Sequence, residues 1–191
     1  MKLYARYGTM KSAKTAILIS IKTAYERQGK PVLCMKPEID TRAGVNTIKS
    51  RLLDKPEWAD FVIKPTTGYQ EMASMVLAEK AQCVLVDEGQ FLLKHNVVDL
   101  RRLATLAPVI VFCLRTDYLG NFFEGSRRLF ELADNIEEVK SCCQFCMKKA
   151  TMNLRHNPTG PSILIGDSEY SPACFPCWLT HMRKYDMDYL G

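Results

Sequence analysis

Several absences narrow this sequence before any motif is read. No apolar stretch approaches the roughly 18 residues that a membrane-spanning helix needs, and the opening MKLYARYG does not have the composition of a signal peptide. The expectation is a cytoplasmic protein that does not associate with membrane. No run of five or more basic residues occurs, and the formal net charge is only +5. That balance suits a small anionic ligand such as a nucleotide and argues against nucleic acid as a partner. There is no internal repeat and no low-complexity tract. The three histidines, His95, His156 and His181, are scattered and read as surface residues.

What is present is ordinary for a globular protein: 191 residues, 47% apolar and 25% charged. That length accommodates one core domain and a modest appendage. The eight cysteines fall into two groups. Cys34, Cys83 and Cys113 sit inside the apolar runs PVLCM, QCVLVD and VIVFCL, where a thiol behaves as a small hydrophobe. Cys142, Cys143, Cys146, Cys174 and Cys177 crowd the last quarter of the chain. In an intracellular setting such a cluster reads as metal-binding and not as disulfides.

Short apolar runs alternate with helical patterns as far as residue 134. KLYARY, PVLCMK, FVIK, CVLVDE and VIVFCL read as strands. Thr15–Gln28, Tyr69–Lys80, Val97–Leu106 and Phe123–Ala133 carry apolar residues at helical spacing. Such alternation predicts an α/β fold, a parallel sheet with helices on both faces and ligands at the carboxyl ends of the strands. From about Asn135 the texture changes to paired cysteines, the stretch NPTGP and short strands. The expected organisation is therefore an α/β domain over 1–134 and a smaller unit over 135–191.

The first strand runs into Gly8-Thr9-Met10-Lys11-Ser12-Ala13-Lys14-Thr15 and then at once into a helical pattern. This matches the phosphate-loop template G-x-x-x-x-G-K-[S/T] except at Ala13, which stands where the second glycine usually does. Backbone amides at the helix start would cradle phosphates, Lys14 would neutralise the terminal groups, and Thr15 would offer a hydroxyl to Mg²⁺. Without further support the segment is an ordinary strand–turn–helix connection. Further on, Cys83-Val84-Leu85-Val86-Asp87-Glu88 is a buried-looking strand ending in two carboxylates. Asp87 suits the metal side of a phosphate site, and Glu88 suits a base for the attacking hydroxyl. The pair of motifs is far more specific than either alone.

Cys143-x-x-Cys146 and Cys174-x-x-Cys177, with 27 residues between the pairs, have the spacing of a closed tetrahedral Zn²⁺ site of the structural kind. Cys142 offers a competing first ligand, and His181 a substitute only if Cys177 were displaced. A metal there would pin the ends of a segment with too few apolar residues to hold itself together.

Taken together, GTMKSAKT, KPEIDTR, VLVDEGQFL, LRTDYLGNFFEGSRRLFELAD, CQFCMKKATMNLR and ILIGDSEYSPACFPC resemble the thymidine kinase family of the cellular and bacterial type, from Met1 to about Tyr185. The resemblance implies a RecA-like P-loop core with a zinc-binding lid, ATP with Mg²⁺, thymidine as substrate, and a homo-oligomer, a tetramer. It assigns Glu88 as general base. It adds Asp40, Arg42, Asp87 and Gln90 to the nucleotide side, beside Gly8 to Thr15. It places Met10, Phe91, Leu114, Tyr118, Phe123 and Tyr170 around the thymine ring, with Ile163, Leu164, Ile165 and Gly166 reading its edge. With no family in view, Phe91, Leu114 and Phe123 read as core and Asp40 with Arg42 as a surface pair. IGDSEY is one residue shorter than the usual loop, with Asp167 after Gly166. The alternatives are a kinase of a related deoxynucleoside such as deoxyuridine, a zinc-ribbon nucleic-acid ATPase, and a non-catalytic relative.

Overall fold

The computed structural model describes residues 1–41, 44–50, 52–53, 55–158 and 168–185. Its centre is a six-stranded sheet in the order β5-β2-β6-β7-β1-β8. The strands are β1 (Leu3–Tyr7), β2 (Val32–Pro37), β5 (Phe61–Ile63), β6 (Cys83–Val86), β7 (Val109–Cys113) and β8 (Asn135–Glu138). Every pairing between them is parallel. Five helices are present among the described residues: α1 (Lys14–Glu26), α2 (Tyr69–Ala78), α3 (Lys94–Leu103), α4 (Glu124–Leu132) and α5 (Phe175–Met182). Two antiparallel ribbons complete the chain, β3 (Thr47–Ile48) with β4 (Glu57–Trp58) and β9 (Met152–Arg155) with β10 (Tyr170–Ala173). No described helix is long and apolar enough to cross a membrane.

The continuous apolar runs are explained by burial on both faces of the sheet. Alternate residues point opposite ways. Leu33, Met35, Val84, Val86, Val109 and Val111 pack against Met72, Val76, Val97, Leu100 and Leu129 from α2, α3 and α4. Cys34, Cys83, Leu85 and Phe112 meet Leu18 and Ile19 of α1 on the other face. Cys34, Cys83 and Cys113 are all buried, as their apolar surroundings predicted. Burial pushes the Cys83 thiol up to about 11 and the Cys113 thiol up to about 12, keeping both neutral.

The five expected strands and four expected helices are all present, with ends displaced by a few residues. Besides helix α5, which begins at the second cysteine pair, two features have no counterpart in the sequence reading. The β3–β4 ribbon occupies a stretch too polar and too short-stranded to show a period. The other is β8, whose NIEE is mostly exposed and pairs with β1 through its backbone. The sheet thus continues through Asn135–Glu138, which pairs in parallel with β1 at its edge.

Candidate active site

The strand-to-helix turn after β1 is built for an anion. Helix α1 begins with no side-chain cap and no acidic residue in its first turn, so its first N–H groups and its dipole face outward. The loop reaches that helix through two left-handed residues, Lys11 at φ 62 and Ala13 at φ 66. Ala13 therefore adopts the backbone for which glycine is usually selected, at a cost of roughly 1–2 kcal/mol for a residue with a Cβ. Lys14 is buried and folds back over the loop, its Nζ donating to Thr9 O at 2.7 Å and to Ser12 Oγ at 3.3 Å.

Two strands away, β6 delivers Asp87 and Glu88 to the same end of the sheet. Thr15 Oγ1 donates to Asp87 Oδ2 at 3.0 Å, which joins the loop hydroxyl to the carboxylate. This pair is a hard-oxygen set that suits Mg²⁺. Glu88 is also left-handed, at φ 53, and this turns its carboxylate away from the strand direction. Gln90 donates through Nε2 to Glu88 Oε2, and its Oε1 accepts from Leu114 N at 3.0 Å. Both ends of the Gln90 amide are therefore used within the protein. Gln90, expected on the nucleotide side, here links the Glu88 carboxylate to the Leu114 backbone. Gly125, at the start of α4, allows this arrangement. A Cβ there would lie 2.5 Å from the Leu92 carbonyl oxygen and 2.6 Å from that of Gly89.

A cavity of about 380 Å³ joins these groups. It is lined by Met10, Lys11, Ser12, Ala13, Lys14 and Thr15 of the loop, by Asp40, Asp87 and Glu88, and by Leu114. Thr47, Lys49, Ser50 and Leu52, from the segment carrying β3, complete its wall. That segment is fixed by Lys36, a fully buried lysine on β2. Its Nζ donates to Thr47 O at 2.8 Å and Gly44 O at 3.2 Å, and pairs with Asp40 Oδ2 at 3.1 Å. The sequence reading found Asp40 only through the family resemblance and missed Lys36. The signal was a lysine inside an otherwise apolar strand, four residues before an acid. Arg42 lies outside the described residues, as do Ile163, Leu164, Ile165 and Gly166.

The groups expected around a base divide between two neighbourhoods. Met10, Tyr118 and Tyr170 meet in an apolar cluster with Cys143, Cys174 and Trp178. Tyr118 is held from three sides: Trp178 Nε1 donates to its carbonyl at 2.8 Å, its hydroxyl donates to Pro158 O at 3.4 Å, and the Arg155 guanidinium lies 5.1 Å from its ring centre. Phe91 and Phe123 form an edge-to-face pair at 5.9 Å. They sit beyond the lining of the 380 Å³ cavity, whereas Leu114 belongs to it.

The four cysteines Cys143, Cys146, Cys174 and Cys177 converge, with all their sulfur atoms within 4.8 Å of one another. Sulfurs bound tetrahedrally at about 2.3 Å from Zn²⁺ lie roughly 3.8 Å apart, so the cluster fits that ion. The Cys143 thiol is held down at about 6. Burial alone would raise it, and N–H groups of Cys174, Phe145 and Cys146 outweigh that effect. Cys142 is exposed and outside the group. His181 spends its Nε2 on the Arg155 carbonyl at 3.1 Å.

A parallel sheet with a phosphate loop after β1 and a metal-suited carboxylate after β6 defines an α/β protein of the P-loop nucleotide-binding class. A family model described as thymidine kinase matches residues 1–178. The thymidine kinases of Streptococcus pyogenes serotype M28 (strain MGAS6180) and Streptococcus agalactiae serotype V (strain ATCC BAA-611 / 2603 V/R) are each 42% identical over 183 residues, spanning 91% of this chain and 94% of the relative. The chain belongs to the thymidine kinase family.

Proposed function

We propose that the protein transfers the γ-phosphoryl group of ATP to the 5′-hydroxyl of thymidine, giving thymidine 5′-monophosphate and ADP. The observation that carries this reading is the single cavity in which Lys14 and Thr15 face Asp87 and Glu88. The O5′–Pγ bond forms as the bond from Pγ to the β-bridging oxygen breaks, and the hydroxyl proton passes to Glu88. Lys14 and the amides from Lys11 to Thr15 hold the phosphates. Thr15 and Asp87 would hold Mg²⁺, which when bound offsets charge on the β and γ oxygens. Gln90 keeps Glu88 aimed. Met10, Leu114, Tyr118 and Tyr170, with Phe91 and Phe123, supply the apolar slot for the base. The four cysteines, holding structural Zn²⁺, fix the unit that carries Tyr170 and Trp178. This reading includes a division into a phosphate-binding core and a cysteine-held lid, a cytoplasmic setting and a homotetramer.

Incubation with Mg-ATP and a panel of thymidine, deoxyuridine and deoxycytidine tests the assignment, with products identified by mass. Thymidine monophosphate is the expected main product. Faster phosphorylation of deoxyuridine would favour the related-nucleoside reading, and no phosphorylated nucleoside at all would overturn the function.

The metal has its own test. Cys174→Ser leaves three thiolates and an incomplete shell, so bound zinc, expected at about one per chain, falls toward none by elemental analysis. Because a metal clip and the fold around it form together, thymidine binding falls with it. Full zinc content in the variant would remove Cys174 from the ligand set.

A further inference from the structure

The phosphate loop is braced from outside, and the brace comes from the far end of the chain. Asn153 lies on β9 and is buried, with 3% of its surface exposed. Its Oδ1 accepts from Met10 N at 2.8 Å, and its Nδ2 donates to Thr116 O at 2.9 Å. One amide side chain thus joins the loop after β1 to the loop after β7. A second tie lies alongside, between Thr9 Oγ1 and Ser141 Oγ at 2.6 Å. Directly beyond these anchored residues, the backbone enters the left-handed region at Lys11 and again at Ala13. Neither residue is glycine, so the chain's own preference is to leave that conformation. Strained backbone persists where its surroundings over-determine it.

We propose that Asn153 is a positioning residue for nucleotide binding, holding the Met10 peptide so that the strained turn through Lys11 and Ala13 keeps its amides directed at the phosphates. This rests on the reading of Gly8 to Thr15 as the phosphate site. The lid unit thereby sets the ATP site as well as the nucleoside site. Ala13 adds to the need for the brace, because a glycine there would adopt the same φ without strain, leaving only Lys11 to be held.

The test is a double-mutant cycle read as the dissociation constant for Mg-ATP by calorimetry, with zinc content and Tm measured on each protein. Asn153→Leu keeps similar bulk and removes both hydrogen bonds. The expected result is Mg-ATP binding about tenfold weaker, with zinc content close to the parent's and Tm lowered by only a few degrees. Asn153→Ser, too short to reach Met10, gives a similar loss and serves where the leucine variant folds poorly. Ala13→Gly should recover more affinity in the Asn153→Leu background than it adds to the parent, because the two sites are coupled. Parent-like Mg-ATP binding in Asn153→Leu, or an equal effect of Ala13→Gly in both backgrounds, overturns the brace. Lys14→Ala separates this from the underlying assignment. Binding lost in Lys14→Ala but kept in Asn153→Leu refutes the brace alone, whereas binding kept in both refutes the phosphate-loop reading.

Discussion

Glu88→Gln should lower thymidine turnover by about 10²-fold or more while leaving Mg-ATP and thymidine binding nearly intact, the usual scale for a lost general base. The substitution keeps the shape of the side chain. Its remaining oxygen still accepts from Gln90 Nε2, which now donates to Glu88 Oε2, so that link and the turn at φ 53 survive. What is lost is a group that takes a proton in the transition state. Loss confined to that state lowers kcat and kcat/KM together and leaves KM little changed. Parent-like turnover in this variant would remove Glu88 from the chemistry.

Lys14→Ala should act on binding and rate together. The ammonium is buried and now bonded to the Thr9 carbonyl and the Ser12 hydroxyl, and it is the loop's own cation at the start of α1. Charge-assisted hydrogen bonds are worth about 1.5–3 kcal/mol each, so Mg-ATP affinity should fall about 10- to 100-fold. The same charge stabilises the transferring group, so turnover should fall by a further ~10²-fold. Mg-ATP binding measured by calorimetry and single-turnover rates separate the two effects. Retention of both would mean that the loop does not hold the phosphates.

Much of this site was legible in the sequence because its parts are local. The phosphate loop, the carboxylates of β6 and the two cysteine pairs are each set by spacing within a few residues. The core strands were equally plain, since burial on both faces leaves uninterrupted apolar runs such as CVLV. The supports were not legible. Asn153 reaches Met10 across 143 residues of chain, Lys36 is invisible as an anchor until Thr47 and Gly44 fold over it, and Gly125 matters only because α4 starts against the backbone at Gly89. Strand β8 escaped notice for a different reason: it is four residues long and mostly exposed, with Ile136 its one apolar side chain, and pairing through the backbone leaves no hydropathy pattern. Tyr118 and Tyr170 were assigned through family resemblance. The structure places both in one apolar cluster with Cys143 and Trp178.

The most direct measurement of the central claim is a structure of the protein with thymidine and a non-hydrolysable Mg-ATP analogue bound together. The account predicts the nucleoside's 5′-hydroxyl within about 2.6–3.2 Å of the Glu88 carboxylate, on the line to a γ-phosphate held by Lys14, with the thymine ring against Leu114 and Tyr118. A thymidine bound with its 5′-hydroxyl far from Glu88, or phosphates lying away from the Gly8–Thr15 loop, would contradict it.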